Sequence, residues 1–177
     1  MLTPGGAKWF KVGQGSGMEA KVKQGGEGLG GLKLFSSVYE HSLDAKKRLT
    51  IPSDWRAMVG EPQRIFVLQA ADGTHLDAMP ASEMSKKLEK MADVSLADTA
   101  SQDYLSVLAM RSELVTWDAQ GRIRLRDDLL EFAGVKDSAV LVSTLKGFQI
   151  WSPRKWKEKQ EKLLQVKTAD VVRSFGF

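Results

Sequence analysis

The sequence predicts an α+β fold, mainly β, in which two duplicated halves of one chain combine with flanking helices behind a flexible N-terminal tail. The first observation behind this is a repeat. Leu43-Asp44-Ala45-Lys46-Lys47-Arg48-Leu49-Thr50-Ile51 returns 74 positions later as Trp117-Asp118-Ala119-Gln120-Gly121-Arg122-Ile123-Arg124-Leu125. The second is that the flanks repeat as well: Leu49 matches Ile123, Ile51 matches Leu125, Trp55 matches Leu129, and Pro80 matches Pro153 at a shift of 73. Agreement over roughly forty residues marks a duplicated unit, where a lone Asp-x-x-x-Arg would not. The third is the order of patterns, since each half reads hairpin, short helix, second hairpin, longer helix.

The division that follows is a tail at 1–33, a first half at 34–85, a linking helical segment at 86–110, a second half at 111–160, and a helix end with tail at 161–177. A chain of 177 residues with 42% hydrophobic content has enough apolar surface for one modest core. No apolar run approaches the roughly 18 residues of a membrane span, and the start lacks the basic-then-apolar order of a secretory signal. The expectation is a soluble chain of the cytoplasm with no membrane partner. The absence of cysteine excludes disulfides and thiolate metal sites.

The tail comes first. Ten glycines fall within the first 31 residues, without an apolar period, and such a composition buries too little surface to offset the entropy of ordering. Gly13-Gln14-Gly15-Ser16-Gly17 lacks the leading strand and following Gly-Lys-Ser/Thr of a phosphate loop. The charge also divides here. Lys8, Lys11, Lys21, Lys23 and Lys33 against Glu19 and Glu27 place +3 of the net +4 in residues 1–33. The remainder carries only +1, so a nucleic-acid argument must rest on where its charges cluster.

From Leu34 to Leu43 the pattern predicts a strand. In each repeated stretch Asp-Ala-x-x-Arg then forms a turn: Asp118 suits the first position of a type I turn, and Gly121 suits the left-handed position that closes a hairpin. Lys47 occupies the matching place in the first copy, where a side chain costs about 1 kcal/mol, so a looser or differently shaped first turn is expected. Along the strands that follow, alternation sends Leu49 and Ile51 to the core with Arg48 and Thr50 opposite, and Ile123 and Leu125 inward with Arg122, Arg124 and Arg126 opposite. Spacing alone leaves those arginines open to three readings: a solvated face, a clip held by the Asp of the same motif, or a binding surface.

Pro52 to Gly60 and Asp127 to Gly134 have the acidic start and glycine stop of short helices. Arg64 to Gln69 and Ala139 to Thr144 read as strands, each followed by a turn, at Asp72-Gly73 and Lys146-Gly147. Ser82 to Ala92 spaces Met84, Leu88 and Met91 as a packing stripe, Ala97 to Met110 reads as a linking helix, and Pro153 to Val166 as the last, with Trp156 and Leu163 on one side.

On three stretches the chain resembles the MraZ family, whose halves are of the SpoVT-AbrB type. These are Tyr39-Glu-His-Ser-Leu-Asp-Ala-Lys-Lys-Arg-Leu-Thr-Ile-Pro52, Asp118-Ala-Gln-Gly-Arg-Ile, and Gln149-Ile-Trp-Ser-Pro-Arg-Lys-Trp156. The resemblance covers residues 34 to 160. It implies a swapped-hairpin β-barrel formed by both halves of the chain, and protomers assembled as a homo-oligomer ring. It also implies a nucleoid-associated transcriptional regulator, a repressor in expectation, that binds double-stranded DNA at short direct repeats ahead of division and cell-wall genes, its own first. Carried over by position, Arg48 and Arg122 read the DNA, and Asp44 and Asp118 orient them.

Physical chemistry supports those roles. The planar fork of arginine pairs two hydrogen bonds with guanine or clamps phosphate. Lys46, Lys47 and Arg124 would add phosphate contacts that position without specifying. Against the family pattern, Lys47 replaces a glycine and Arg126 a proline, and Arg126 is expected to add a phosphate contact.

Two other function classes compete. An enzyme is not expected: His41 and His75 share no ligand spacing, no nucleophile motif is present, and Asp127-Asp128 sit where a helix start favours acids anyway. No cofactor is expected either. The alternative is a ring-forming or antitoxin-like interaction protein of the same fold that does not bind DNA specifically.

Overall fold

A computed structural model describes residues 35–60, 62–91 and 99–164. The expected tail at 1–33 lies outside them, as do Leu34, the helix limits at Ala92, Ala97 and Val166, and the C-terminal tail from 165. The elements run β1 (Val38–Ser42), β2 (Arg48–Thr50), α1 (Ser53–Val59), β3 (Ile65–Gln69), β4 (Leu76–Pro80), α2 (Ala81–Met91) and α3 (Thr99–Met110). They continue as β5 (Ser112–Val115), β6 (Arg122–Arg124), α4 (Asp127–Ala133), β7 (Ser138–Ser143), β8 (Phe148–Trp151) and α5 (Pro153–Leu164). The order of β1 to α2 thus returns in β5 to α5, with α3 between the halves.

Pairing does not follow the simple hairpin reading. The arms of each Asp-Ala-x-x-Arg turn part after the closing pair: β1 pairs with β7, β5 with β3, and β2 with β6, all antiparallel and all across the halves. Only the second hairpins, β3 with β4 and β7 with β8, close on themselves. The result is a six-stranded sheet in the order β1-β7-β8-β4-β3-β5 and a separate β2-β6 ribbon. Among the described residues the sheet is open, with β1 and β5 as its edges, and does not close into a barrel.

The repeat fits this arrangement because its matched positions meet in one core. Leu49, Ile51 and Trp55 and their counterparts Ile123, Leu125 and Leu129 are all buried. Trp55 donates its Nε1–H to the Ser36 carbonyl at 2.9 Å, and its ring meets Phe35 and Tyr39 edge-on at 5.8 and 5.2 Å. This packing holds α1 against Tyr39 of β1 and against the segment that leads into it. On the other side Gly134, left-handed at φ 71°, ends α4 and donates to the Glu131 carbonyl, as its sequence position predicts.

Several local expectations need correction. Among the described residues the first strand runs from Val38 and ends at Ser42, one short of Leu43; Ser37 at φ 85° separates it from Phe35, which forms an isolated bridge to Leu145. In α2, Met84 is buried but Leu88 is 39% exposed, so the stripe is not a continuous packing seam. In α5, Trp156 packs on Trp151 at 5.8 Å while Leu163 stays exposed. The linking helix α3 has no buried residue at all and leaves Tyr104, Val107 and Met110 exposed.

Candidate nucleic-acid interface

Each turn is built by its aspartate. Asp44 Oδ1 accepts from the backbone N–H of Lys46 and of Arg48, both at 2.9 Å, while Oδ2 accepts from Arg48 Nε at 2.8 Å. Asp118 repeats this: Oδ1 accepts from Gln120 and Arg122 backbone N–H at 3.0 Å, and Oδ2 from Arg122 Nε and Nη2 at 2.9 and 2.7 Å. Short Asp side chains satisfy turn amides in this way readily. Their second oxygen then fixes the plane of the arginine that follows.

The β2-β6 ribbon brings the two turns together. Its register sets Leu49 opposite Ile123, with Arg48 opposite Arg124 and Thr50 opposite Arg122, so the repeats are related by a local two-fold axis. Arg48 Nη1 donates across it to Asp118 Oδ2 at 3.2 Å, and Arg122 Nη1 lies 3.6 Å from Asp44 Oδ2. Two arginines and two aspartates thus form one reciprocal network, with each side chain a little under one-third exposed. The side-chain hydrogen bond from Arg122 is the main cause that holds the Asp118 carboxyl down to about 2. Asp44 is lowered as well, chiefly by the backbone N–H of Arg48, and Arg122 is raised by Asp118.

The expectation of a looser or differently shaped first turn is not met. Lys47 at φ 55° takes the left-handed position that Gly121 takes at φ 77°, and both donate to their motif aspartate carbonyl at 2.8 Å. The Asp44 carboxylate anchors two amides of the turn, which compensates the strain at Lys47.

The remaining predicted cations differ in freedom. Lys46 is exposed, and its ammonium has no partner among the described residues. Lys47 Nζ and Arg124 Nη2 both reach Asp127 Oδ1, at 3.4 and 2.8 Å. That carboxyl is lowered, first by Arg124 and then by Lys47. Arg126 does not serve as expected. Its guanidinium is held by Asp128 at 3.0 and 2.7 Å and donates to the carbonyls of Ser112 and Met110, tying α4 to the α3-β5 junction. A side chain committed to one carboxylate and two carbonyls is not poised for phosphate.

Sequence reasoning missed Arg56. It lies on α1, donates Nε–H to the Ile51 carbonyl at 3.2 Å, and covers Gly121 so closely that a Cβ there would sit 2.5 Å from its Cζ. The repeat offered one signal, because Arg56 falls where the second copy has buried Leu130.

The histidines belong elsewhere. His75 is buried against Trp151 with ring centroids 4.1 Å apart and faces Asp77 at 3.3 Å, whereas His41 stacks on Tyr39 and has its pKa lowered by burial. No helix among the described residues is long and apolar enough to cross a membrane.

Comparison with known proteins gives one family. The family model for MraZ proteins, which its description calls antitoxin-like, matches residues 108–174, a stretch that contains the second turn. The chain is 29% identical over 137 residues to a transcriptional regulator MraZ from Hyphomonas neptunium, covering 77% of this chain and 83% of that one. It is 27% identical to proteins of the same name from Clostridium acetobutylicum (72% and 88% covered) and Symbiobacterium thermophilum (78% and 98%).

Proposed function

Because this chain belongs to the MraZ family, we propose that it is a DNA-binding transcriptional regulator whose reading face is the Asp44-Arg48-Asp118-Arg122 network. The family is one of regulators, not enzymes. The reading extends to a repressor in the cytoplasm, at the nucleoid. It acts on short direct repeats ahead of division and cell-wall genes, beginning with its own. The pairing of β2 with β6 across the halves is read as an exchange of hairpins between two SpoVT-AbrB type units.

The observation that carries the proposal is the pair of arginines held on one face by reciprocal carboxylates. Fixing Nε against Asp44 leaves Arg48 Nη2 without a partner among the described residues and open to a base edge, and its Nη1 contact to Asp118 is long enough to yield to a guanine acceptor. Pre-orientation reduces the entropy lost when the fork docks. Lys47, Arg48, Arg122 and Arg124 face the carboxylates Asp44, Asp118 and Asp127, and Lys46 adds one cation unpaired among the described residues, so the surplus of positive charge on this face is small. Tight binding therefore calls for several protomers on repeated sites, where effective concentration multiplies a weak contact. Self-association into a ring is supported by the exposed Tyr104, Val107 and Met110 on α3 and Leu114 on edge strand β5.

The test is fluorescence anisotropy with a duplex from directly upstream of the chain's own gene against a scrambled duplex, across a salt series. Selective binding that weakens steeply with salt is expected. The double variant R48A/R122A should lose the selectivity while keeping its assembly state. Equal, weak binding to both duplexes by the unsubstituted chain would overturn the DNA reading in favour of an antitoxin-like interaction protein.

A further inference from the structure

The two turns present positive charge differently. At the left-handed corner of the first, Lys47 supplies a cation from the turn itself. At the same corner of the second, Gly121 has no side chain, and the guanidinium of Arg56 from the other half occupies the space above it. Arg56 Nε is committed to the Ile51 carbonyl at 3.2 Å, and Ile51 in turn donates its backbone N–H to the Gly121 carbonyl at 2.9 Å. The fork is therefore registered against the second turn by a hydrogen bond and by packing.

What distinguishes Arg56 is the absence of a counter-charge. Lys47, Arg48, Arg122, Arg124 and Arg126 each meet a carboxylate at 3.4 Å or less. Among the described residues Arg56 meets none, and its terminal nitrogens Nη1 and Nη2 have no acceptor. A half-buried, oriented guanidinium with two unused nitrogens beside the Arg122 turn is suited to a singly charged oxyanion. The oxyanion that a duplex docked on Arg122 brings to that place is a backbone phosphate. Resting on the DNA-binding reading above, we propose that Arg56 binds a DNA backbone phosphate next to the second turn and so registers the duplex against Arg122.

A phosphate contact carries no sequence information, but it adds one counterion to the salt dependence. This separates the proposal from a role in which Arg56 merely props Gly121. The experiment repeats the anisotropy salt series with the full chain, its R56Q and R56M variants, and R56K, on the upstream and scrambled duplexes. Folding is checked by circular dichroism. R56M keeps the apolar stem packed and serves if R56Q does not fold.

The neutral variants should weaken binding to both duplexes by a similar factor and reduce the log-log salt slope by about 0.9. R56K should restore that slope, and the preference between duplexes should persist throughout. An unchanged slope in a folded neutral variant overturns the assignment, whether affinity is kept or the duplex preference collapses, the latter being the mark of a prop. Failure of the unsubstituted chain to bind either duplex would instead remove the DNA reading itself, and the Arg56 contact with it.

Discussion

Arg48 of the first turn donates its Nη1–H to Asp118 of the second at 3.2 Å, across a ribbon that joins residues 70 positions apart in the chain. The two repeats are thereby one electrostatic unit, and changes at either turn should be felt at both.

Acid should act on this unit through Asp118. Its folded pKa of about 2 lies below the ordinary 3.8, so the stabilisation is complete above about 4 and is lost as pH falls through about 2. The D118N variant lacks the titration. Its melting temperature should therefore depend less steeply on pH between about 4 and 2 than that of the unsubstituted chain. Parallel curves over that window would show that the pairing contributes nothing to stability.

The two left-handed corners make opposite predictions. Replacing Lys47 by glycine relieves about 1–2 kcal/mol of left-handed strain against roughly 0.5–1 kcal/mol of added chain entropy. K47G should be neutral to slightly stabilised. G121A adds the same strain and also drives a Cβ to 2.5 Å from Arg56 Cζ. A drop of about 2–8 °C in Tm is expected for G121A in a chain of this size. Equal melting temperatures for G121A and the unsubstituted chain would contradict the corner geometry.

Asp127 restrains two of the phosphate-contact candidates. It is 2.8 Å from Arg124 and 3.4 Å from Lys47, and neither cation has a second carboxylate among the described residues. D127N should free Lys47 and release Arg124 Nη2, while Arg124 Nη1 stays on the Leu125 carbonyl. It should strengthen binding to scrambled DNA more than to the upstream duplex and steepen the salt slope. An unaltered slope would mean that neither cation reaches a phosphate.

The core prediction concerns Trp55. It is fully buried, contacts Phe35, Tyr39 and Phe148, and satisfies the Ser36 carbonyl. W55A should cost about 3–5 kcal/mol, a large share of the roughly 5–15 kcal/mol that holds a domain together. Urea unfolding measures this. A loss under about 1 kcal/mol would mean that α1 is not packed as described.

By itself the sequence determined the duplication, the positions of the short helices, the buried aliphatic positions of the repeated strands, and the turn chemistry of the second motif. These are local properties. Asp, a left-handed corner and an alternating strand follow from neighbouring residues, which is why Leu49, Ile51, Ile123 and Leu125 could be assigned to the core in advance. Strand partners were another matter. A turn specifies its closing pair, but β1 and β2 then diverge, and only the packed halves decide that β1 lies on β7 and β2 on β6. The same holds for the charges. Arg126 reads on the strand face yet is drawn to Asp128 and the end of α3, whereas Arg56 is brought over Gly121 from 65 residues away. Which cation a carboxylate captures depends on distances of a few ångströms between segments remote in the chain, and those distances exist only once the core has closed.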